Sequence, residues 1–231
     1  RDTDRSRGLG DVYKRQDYHD IMRQKLNSLL ETLRHSTPEG TLQGRAFCDT
    51  APVLERYWAW QCGLGWIGRH TQLVIPRAGS AFFLGELMLN LPADAYDAPF
   101  PTDRCGTCRR CIEACPTQAL EEGRGLDARR CLSYLTIENR GGIPEEAAAR
   151  MYPYFYGCDR CLRACPHLRS APPATEPAFT PRPELLQMEE EDWMALDMER
   201  YRMLFKGSAV KRAKYEGLIR SLKALRGNGD R

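Results

Sequence analysis

Eight of the ten cysteines lie between residues 105 and 165, seven of them in two runs that each end in Cys-Pro and one, Cys131, alone between the runs. The first run reads Cys-x2-Cys-x2-Cys-x3-Cys-Pro and the second reads Cys-x2-Cys-x3-Cys-Pro. The first spacing is that of bacterial ferredoxins, which bind [4Fe–4S] clusters through cysteine thiolates. The two runs therefore predict a pair of [4Fe–4S] clusters and one-electron transfer.

In two-cluster ferredoxins the cysteine before the proline ligates the other cluster. This rule assigns the first cluster to Cys105, Cys108, Cys111 and Cys165. It leaves the second cluster with only three ligands, and Cys131 is the one nearby thiol that remains to complete the set of Cys115, Cys131, Cys158 and Cys161.

Zinc and disulfide bonds are the alternative uses of these cysteines. A structural zinc ion is bound by four ligands, commonly from Cys-x2-Cys pairs. Four thiols on one short loop suit a cubic cluster better than a single tetrahedral ion. A disulfide framework is typical of small secreted domains, and no signal peptide is visible in this sequence. Reduced thiols favour a cytosolic setting.

Charge is nearly balanced overall, at +3, but unevenly distributed. Residues 184–199 carry seven acidic side chains, whereas residues 201–231 carry nine Lys or Arg. A basic C-terminal segment could contact nucleic acid, and a solvated amphipathic helix is the alternative. No run of 18 apolar residues is present, so we expect no transmembrane span.

The elements around the cysteines begin with a helix over residues 17–34, predicted from apolar residues at three- and four-residue steps. Residues 44–49 are predicted to form a strand that ends at Asp49, and a helix is predicted to start at Pro52. Asp49 would then lie at a strand-to-helix turn, either as an N-cap or as a catalytic carboxyl at the mouth of a sheet.

A glycine-rich stretch follows at residues 63–70, where the glycines permit close approach to a flat or bulky ligand. His70 could face that ligand or be a buried structural residue. Residues 71–75 and 81–89 are predicted to pair as an apolar hairpin.

The rest of the chain alternates linkers and helices. Residues 91–103 and 171–183 are predicted linkers, and helices are predicted at 127–139, 144–150, 184–196 and 208–225. Residues 1–16 have no apolar periodicity and are interpreted as a foreign leader.

Five segments in combination resemble the epoxyqueuosine reductase family. They are residues 49–56 (DTAPVLER), 65–68 (GWIG), 105–116, 127–138 and 157–161, and the resemblance extends over residues 17–226. It implies reduction of epoxyqueuosine to queuosine in the tRNA anticodon loop, with cobalamin and two [4Fe–4S] clusters. It also implies that Asp49 is the proton donor, with a pKa raised by burial, and that Cys131 completes the second cluster.

The same resemblance implies an α+β fold in an N-terminally truncated copy. A partial corrinoid-binding, nitroreductase-like α/β domain would span residues 17–98, followed by a two-cluster ferredoxin-like domain at 99–170 and by a linker and C-terminal helices at 171–231. We expect a cytoplasmic monomer that is reduced by an external low-potential donor. The expected cobalamin contacts are Gly65, Trp66, Gly68, His70, Arg130 and Ser133. The expected tRNA contacts are Lys206, Lys211, Arg212, Lys214 and Arg220.

Two other functions fit part of the pattern. One is a stand-alone ferredoxin-type electron carrier, against which the Asp49 motif and the basic tail argue. The other is a corrinoid reductase that acts on a small organohalide.

Overall fold

The computed structural model describes residues 16–123 and 125–227 and divides into two compact units. The N-terminal unit comprises Tyr18–Cys108 and His167–Pro173. The C-terminal unit comprises Asp17, Arg109–Pro166 and the chain from Ala174 onward. The division falls inside the first cysteine run, between Cys108 and Arg109. Apart from Gln16, the predicted leader lies outside the described residues.

Helix α1 (Tyr18–His35) opens the N-terminal unit and confirms the periodicity over residues 17–34. Asp20 lies in its first turn and Arg34 in its last, where each charge complements the helix dipole. Its apolar stripe packs closely on glycines. A Cβ atom at Gly44 would lie 2.7 Å from a methyl of Leu30, and one at Gly85 would lie 2.8 Å from a methyl of Leu26.

The strands of this unit form two antiparallel ribbons. Strand β1 (Gly44–Phe47) pairs with β4 (Glu86–Leu89), so that Phe47 lies opposite Glu86. Strand β2 (Trp66–Ile67) pairs with β3 (Leu73–Val74). The predicted hairpin of residues 71–75 with 81–89 is therefore wrong. Each of its strands pairs with an earlier segment, and the turn at residues 75–79 closes only the isolated bridge between Ile75 and Gly79.

Helix α2 (Glu55–Gln61) lies between β1 and β2 in sequence. It begins three residues later than predicted, and β1 ends at Phe47 rather than at Asp49. The N-cap of α2 is Leu54, which makes no side-chain cap hydrogen bond. Asp49 is therefore not the cap of this helix.

The C-terminal unit is built from short helices. They are α3 (Arg110–Glu113), α4 (Leu132–Ile137), α5 (Glu145–Ala148), α6 (Arg160–Ala164), α7 (Pro183–Leu186), α8 (Glu190–Met194), α9 (Met198–Leu204) and α10 (Lys214–Arg226). Tighter 3-10 turns occur in this unit at Ala128–Arg130, Pro177–Phe179 and Ala209–Arg212, and a further one at Pro166–Ser170 begins at its last residue before the chain re-enters the N-terminal unit.

The single helix predicted over residues 184–196 is wrong, because the chain forms α7 and α8 there with a break between them. A capping box formed by Glu189 and Asp192 starts α8, and the Asp197 side chain caps α9, which the sequence did not predict. Polar side chains that satisfy the first N–H groups of a helix fix where it begins.

The core of the C-terminal unit is centred on α10. Val210, Ala213, Leu218 and Leu222 are at most 4% exposed, which confirms the apolar face predicted for this segment. They pack with residues from α7, α8 and α9, including Leu185, Trp193 and Phe205. Across residues 16–123 and 125–227, no helix is long and apolar enough to cross a membrane.

Candidate functional site

Four cysteines of the C-terminal unit form the second predicted ligand set. Cys131 immediately precedes α4, Cys158 and Cys161 lie at the start of α6, and Cys115 follows α3. Helices α3 and α6 pack against each other. Burial, with the neighbouring thiols of Cys158, Cys131 and Cys115 as smaller causes, raises the pKa of Cys161 to about 12. Cys161 therefore interacts with each of the other three side chains.

Burial likewise raises the pKa of Cys158 to about 11, opposed by a backbone hydrogen bond and reinforced by Cys131. Thiols with such raised pKa values ionise at neutral pH only beside a positive charge. Metal ions bind deprotonated sulfur and can supply that charge. The donor set thus fits an iron–sulfur cluster. Within the described residues, no group of three or more His, Cys, Asp or Glu side chains lies close enough to hold a single metal ion.

Hydrogen bonds fix the backbone beside these thiols. The Ala119 N–H donates to Cys115 Sγ at 3.2 Å. The Gly157 N–H donates to Thr136 Oγ1 at 2.9 Å, and that hydroxyl donates to the Leu132 carbonyl at 2.7 Å. Thr136, which is fully buried, therefore ties the helix after Cys131 to the residue before Cys158.

The first predicted ligand set is divided between the two units. Cys105 and Cys108 belong to the N-terminal unit, where the Cys108 N–H donates to the Cys105 carbonyl at 3.0 Å. Cys111 and Cys165 belong to the C-terminal unit, and each is 7% exposed. Their joint ligation of one cluster remains a prediction from the sequence.

The glycine-rich stretch lies against the Cys105 loop within the N-terminal unit. Trp66, which is 2% exposed, donates its indole N–H to Cys105 Sγ at 3.4 Å. Arg69 donates to the Gly106 carbonyl at 2.9 Å. A Cβ atom at Gly65 would collide with the Val74 carbonyl. This glycine is therefore needed for close packing of the chain on itself.

His70 is 3% exposed, and burial lowers its pKa to about 4. Its Nδ1 accepts the Gln72 N–H at 3.2 Å, which places the ring proton on Nε2. That buried Nε2 has no hydrogen-bond partner among the described residues. A buried donor without a partner carries a desolvation cost, so His70 offers an open N–H to a ligand. Gly68 lies beside it, since a Cβ atom there would be 3.0 Å from His70 Cε1.

Asp49 occupies the loop after β1 with φ +53, a left-handed conformation that is uncommon outside glycine. Tyr18 donates its phenolic O–H to Asp49 Oδ2 at 2.5 Å, and His19 Nε2 lies 3.7 Å from the same oxygen. The Tyr18 ring stacks on Phe83 with 4.1 Å between centroids. The Asp49 side chain is 60% exposed, so the described residues do not supply the burial expected for the acid.

Two carboxyls near the Asp49 loop, those of Glu55 and Glu86, were not predicted from the sequence. Glu55 accepts the Asp49 backbone N–H, and it is hydrogen-bonded to Glu86. Burial, with the charge and hydrogen bond of Glu55 as smaller causes, raises the pKa of Glu86 to about 7. A signal was available, because Glu86 is the only charged residue in the apolar segment 81–89.

Three of the five basic residues proposed for tRNA make contacts within the C-terminal unit. Arg220 donates to the carbonyls of Leu135, Asn139 and Gly141 at 2.5–2.7 Å. Arg212 pairs with Glu138 at 2.7 Å, and Lys211 lies 3.2 Å from the buried carboxylate of Asp17.

The other predicted contacts lie on the surface or on α4. Lys206 and Lys214 are exposed. Arg130 is also exposed, at the end of the turn before α4, and Ser133 is half-buried on α4.

Two family models match the chain. One, described as a 4Fe-4S double cluster binding domain, matches residues 104–167 and confirms the prediction of two clusters. The other, described as epoxyqueuosine reductase QueG, DUF1730, matches residues 10–50. The second match begins upstream of Asp17, where we expected family-like sequence to start.

Curated relatives named epoxyqueuosine reductase match nearly the whole chain. The protein from Cellulophaga algicola is 43% identical over 91% of this chain and 67% of its own length. The protein from Pseudomonas aeruginosa is 41% identical over 92% of this chain and 58% of its own length, and the one from Escherichia coli is 40% identical over 92% and 55%. The chain thus spans about 55–67% of the length of the curated relatives it matches.

Solved structures give the same likeness. An epoxyqueuosine reductase crystallised with a tRNA-Tyr epoxyqueuosine-modified stem loop matches with a TM-score of 0.85 and 27% identity, over 94% of this chain and 56% of the other. The enzyme from Bacillus subtilis, with its catalytic aspartate loop swung out of the active site, matches with a TM-score of 0.83 and 28% identity over 94% and 56%.

Proposed function

Because the chain belongs to the epoxyqueuosine reductase family, we propose that it takes part in reducing epoxyqueuosine to queuosine in the tRNA anticodon loop. The observation that carries this proposal is 43% identity across 91% of the chain to a protein of that name. A related enzyme was crystallised with an epoxyqueuosine-modified stem loop, which supports the same substrate here.

The reaction removes the epoxide oxygen. Two electrons and two protons enter, both C–O bonds break, and an alkene and one water molecule are formed. Each cluster passes one electron at a time, so two clusters suit a two-electron reduction from an external low-potential donor. Cobalamin, when bound, supplies the reducing metal chemistry that opens the epoxide.

Asp49 is the proton donor in this proposal. An epoxide oxygen leaves poorly as an alkoxide, and a positioned carboxyl can protonate it as the C–O bond breaks. The Tyr18 hydroxyl orients the carboxyl through Oδ2. Since the side chain is 60% exposed, the bound RNA must cover it and exclude water before the proton is transferred.

The cluster ligands follow the sequence assignment. Cys115, Cys131, Cys158 and Cys161 would hold one cluster, and Cys105, Cys108, Cys111 and Cys165 the other. The thiols of Cys158, Cys131 and Cys115 all raise the pKa of Cys161, which supports their set. The indole hydrogen bond to Cys105 Sγ supports a ligand role for that sulfur, because hydrogen bonds to ligating sulfur tune a cluster.

For cobalamin, His70 fits best among the residues expected to contact it. Its buried Nε2–H has no partner among the described residues, and a polar group of the cofactor could accept that proton. Gly65, Gly68 and Trp66 would shape the loop that presents His70. Arg130 and Ser133 remain proposed contacts on the strength of the family resemblance.

For tRNA, Lys206 and Lys214 are the proposed phosphate contacts, because both are exposed and neither forms an ion pair with the described residues. Phosphate contacts supply most of the salt-dependent affinity for nucleic acid. Lys211, Arg212 and Arg220 already bind groups of the protein, so we assign them a smaller share of the affinity.

We propose further that the chain works as a cytoplasmic monomer. Residues 17–98 would belong to a corrinoid-binding, nitroreductase-like domain, residues 99–170 to a ferredoxin-like domain, and residues 171–231 to a linker and helices beside the tRNA.

Anaerobic reconstitution tests the proposal. The chain is loaded with iron, sulfide and cobalamin, reduced chemically, and incubated with a stem loop that carries epoxyqueuosine. We expect about eight iron atoms per chain, and a nucleoside product that is lighter by one oxygen atom. Cys131→Ser should lose about half of the iron, because one cluster loses a ligand.

The alternatives give different outcomes. Full iron content with no corrinoid absorbance and no product would favour a stand-alone electron carrier. Reduction of an organohalide without reduction of the RNA would favour a small-molecule corrinoid reductase.

A further inference from the structure

We propose that Glu86 donates its proton to Glu55, so that one shared proton joins the two carboxyls, and that together they are positioning residues for the proton donor Asp49. The inference rests on the proposed function, in which Asp49 protonates the epoxide oxygen.

Glu55 holds the backbone of the Asp49 loop. It lies in the first turn of α2, and its Oε1 accepts the Asp49 N–H. The residue that it holds has φ +53. A non-glycine residue persists in that region only where its surroundings fix it. The hydrogen bond from Asp49 to Glu55 is a contact that can do so.

Glu86 connects this contact to the ribbon. It is the first residue of β4 and lies opposite Phe47, two residues before Asp49. Its carboxyl is hydrogen-bonded to that of Glu55, and its Oε2 is buried without another partner among the described residues. Two carboxylates in contact repel when both are ionised, so Glu86, whose pKa is raised, retains a proton that it donates to Glu55.

No cation among the described residues lowers the pKa of Glu86, and an arginine of α1 and one of β1 have other contacts. Arg23 of α1 donates to Thr50 Oγ1 at 3.1 Å. Arg45 of β1 lies over the Phe47 ring, 5.0 Å from its centroid.

The remaining titratable neighbours are Cys48, Tyr18 and His19. Burial raises the pKa of the Cys48 thiol to about 12, so this neighbour stays neutral. Tyr18 and His19 contact the Asp49 carboxylate itself.

The consequence is a pH-dependent position for Asp49. The pKa of Glu86 is raised from 4.5 to about 7, so the shared proton is present below about pH 7 and is lost as the pH rises through that value. Above it, Glu55 and Glu86 repel, and the acceptor of the Asp49 N–H is displaced. The alkaline limb of turnover should therefore follow the carboxyl pair.

Nuclear magnetic resonance of the chain with its clusters tests the coupling without substrate or cobalamin. The Asp49 amide proton and the Glu86 carboxyl carbon are followed from about pH 5.5 to about pH 8.5. We expect both to shift with one midpoint near 7. In Glu86→Gln and in Glu55→Gln the Asp49 shift should lose that midpoint. Each variant replaces one of the two carboxyls, so the proton can no longer be shared between them. Glu39→Gln, at an exposed loop carboxyl, should keep it.

A flat Asp49 signal in the parent chain, or an unchanged midpoint in Glu86→Gln, would overturn the proposal. If both variants fail to fold, the parent decides alone, since a Glu86 carboxyl that titrates near its ordinary 4.5 also overturns it.

Turnover separates this inference from the proposed function. Glu86→Gln should lose the alkaline limb of kcat with KM unchanged. If Asp49→Asn retains full turnover, the acid role of Asp49 fails, whereas the amide titration still decides whether the pair holds the loop.

Discussion

Arg212 and Glu138 form a bidentate ion pair, in which Nε and Nη2 of the guanidinium donate to the carboxylate at 2.9 and 2.7 Å. The hydrogen bond from Arg212 is the main reason why the pKa of Glu138 lies below its ordinary value of 4.5. A carboxyl with a lowered pKa stabilises the fold above its unfolded pKa and loses that contribution as the pH falls.

Glu138→Gln should therefore lower the free energy of unfolding at neutral pH by about 0.5–1 kcal/mol, the range for partly exposed pairs. The difference from the parent should vanish as the pH falls below 4.5. Urea unfolding of the cluster-loaded chain at several pH values measures this, with Glu39→Gln as the exposed control. An equal loss at every pH would show that the ion pair is not its cause.

Asp49→Asn should abolish reduction of the stem loop while iron content and the hydrogen bond from Tyr18 persist. General acid catalysis contributes roughly 100- to 10,000-fold, so we expect a loss in that range in single-turnover assays. Asparagine keeps the size of the side chain but has no carboxyl proton to donate. A rate within about twofold of the parent, well below the contribution of an acid catalyst, would assign the proton to another group.

Lys206→Ala combined with Lys214→Ala should weaken RNA binding and reduce the slope of log K against log salt by about 2, because each lysine is expected to neutralise one phosphate. Fluorescence anisotropy with a labelled stem loop measures the slope between about 50 and 200 mM salt. Cluster content should not change, and an unaltered slope would remove these two lysines from the interface.

Arg220→Ala is the matched contrast to the lysine pair. Its guanidinium donates to three carbonyls at the end of α4, and hydrogen bonds from charged groups are worth about 1.5–3 kcal/mol. We expect a loss of stability in that range with little change in the salt slope. If the slope falls as it does for the lysines while stability holds, Arg220 contacts RNA rather than supporting α4.

Thr136→Val should disturb the cluster that we propose Cys131 and Cys158 hold. Valine has the shape of threonine but cannot accept the Gly157 N–H, and a buried unpaired N–H costs about 1–3 kcal/mol. We expect a shifted electron paramagnetic resonance signal from one of the two clusters. Thr136→Ser keeps the hydroxyl and should restore the parent spectrum, whereas a general loss of packing would affect both variants.

Local patterns in the sequence predicted the long helices well. The stripes of α1 and α10 depend on residues three and four apart, and helical periodicity reports that spacing directly. The cysteine runs were also informative, because both ligand identity and cluster type are encoded in short spacings. The family model over residues 104–167 confirms the prediction of two clusters, and the ligand identities stay a prediction.

The strand pairings could not be predicted in the same way. Gly44 pairs with Leu89 and Trp66 with Val74, and strands of two to four residues carry too little pattern to choose among distant partners. The role of Glu86 depends on that pairing, since only the ribbon from β1 to β4 brings it near Glu55. The contacts of Arg220 were hidden for a similar reason, because its carbonyl partners lie about 80 residues away in sequence.

Trp66 has one consequence for the rate at which Cys105 could pass an electron. The indole is 2% exposed and gives its only N–H to that sulfur. A rigid ring therefore takes the place that a mobile water molecule could otherwise fill beside a sulfur that we propose is a cluster ligand. Surroundings that are already oriented need little rearrangement when charge moves. The reorganisation energy at this sulfur should be small, and electrons should cross here more quickly than they would through a hydrated thiolate.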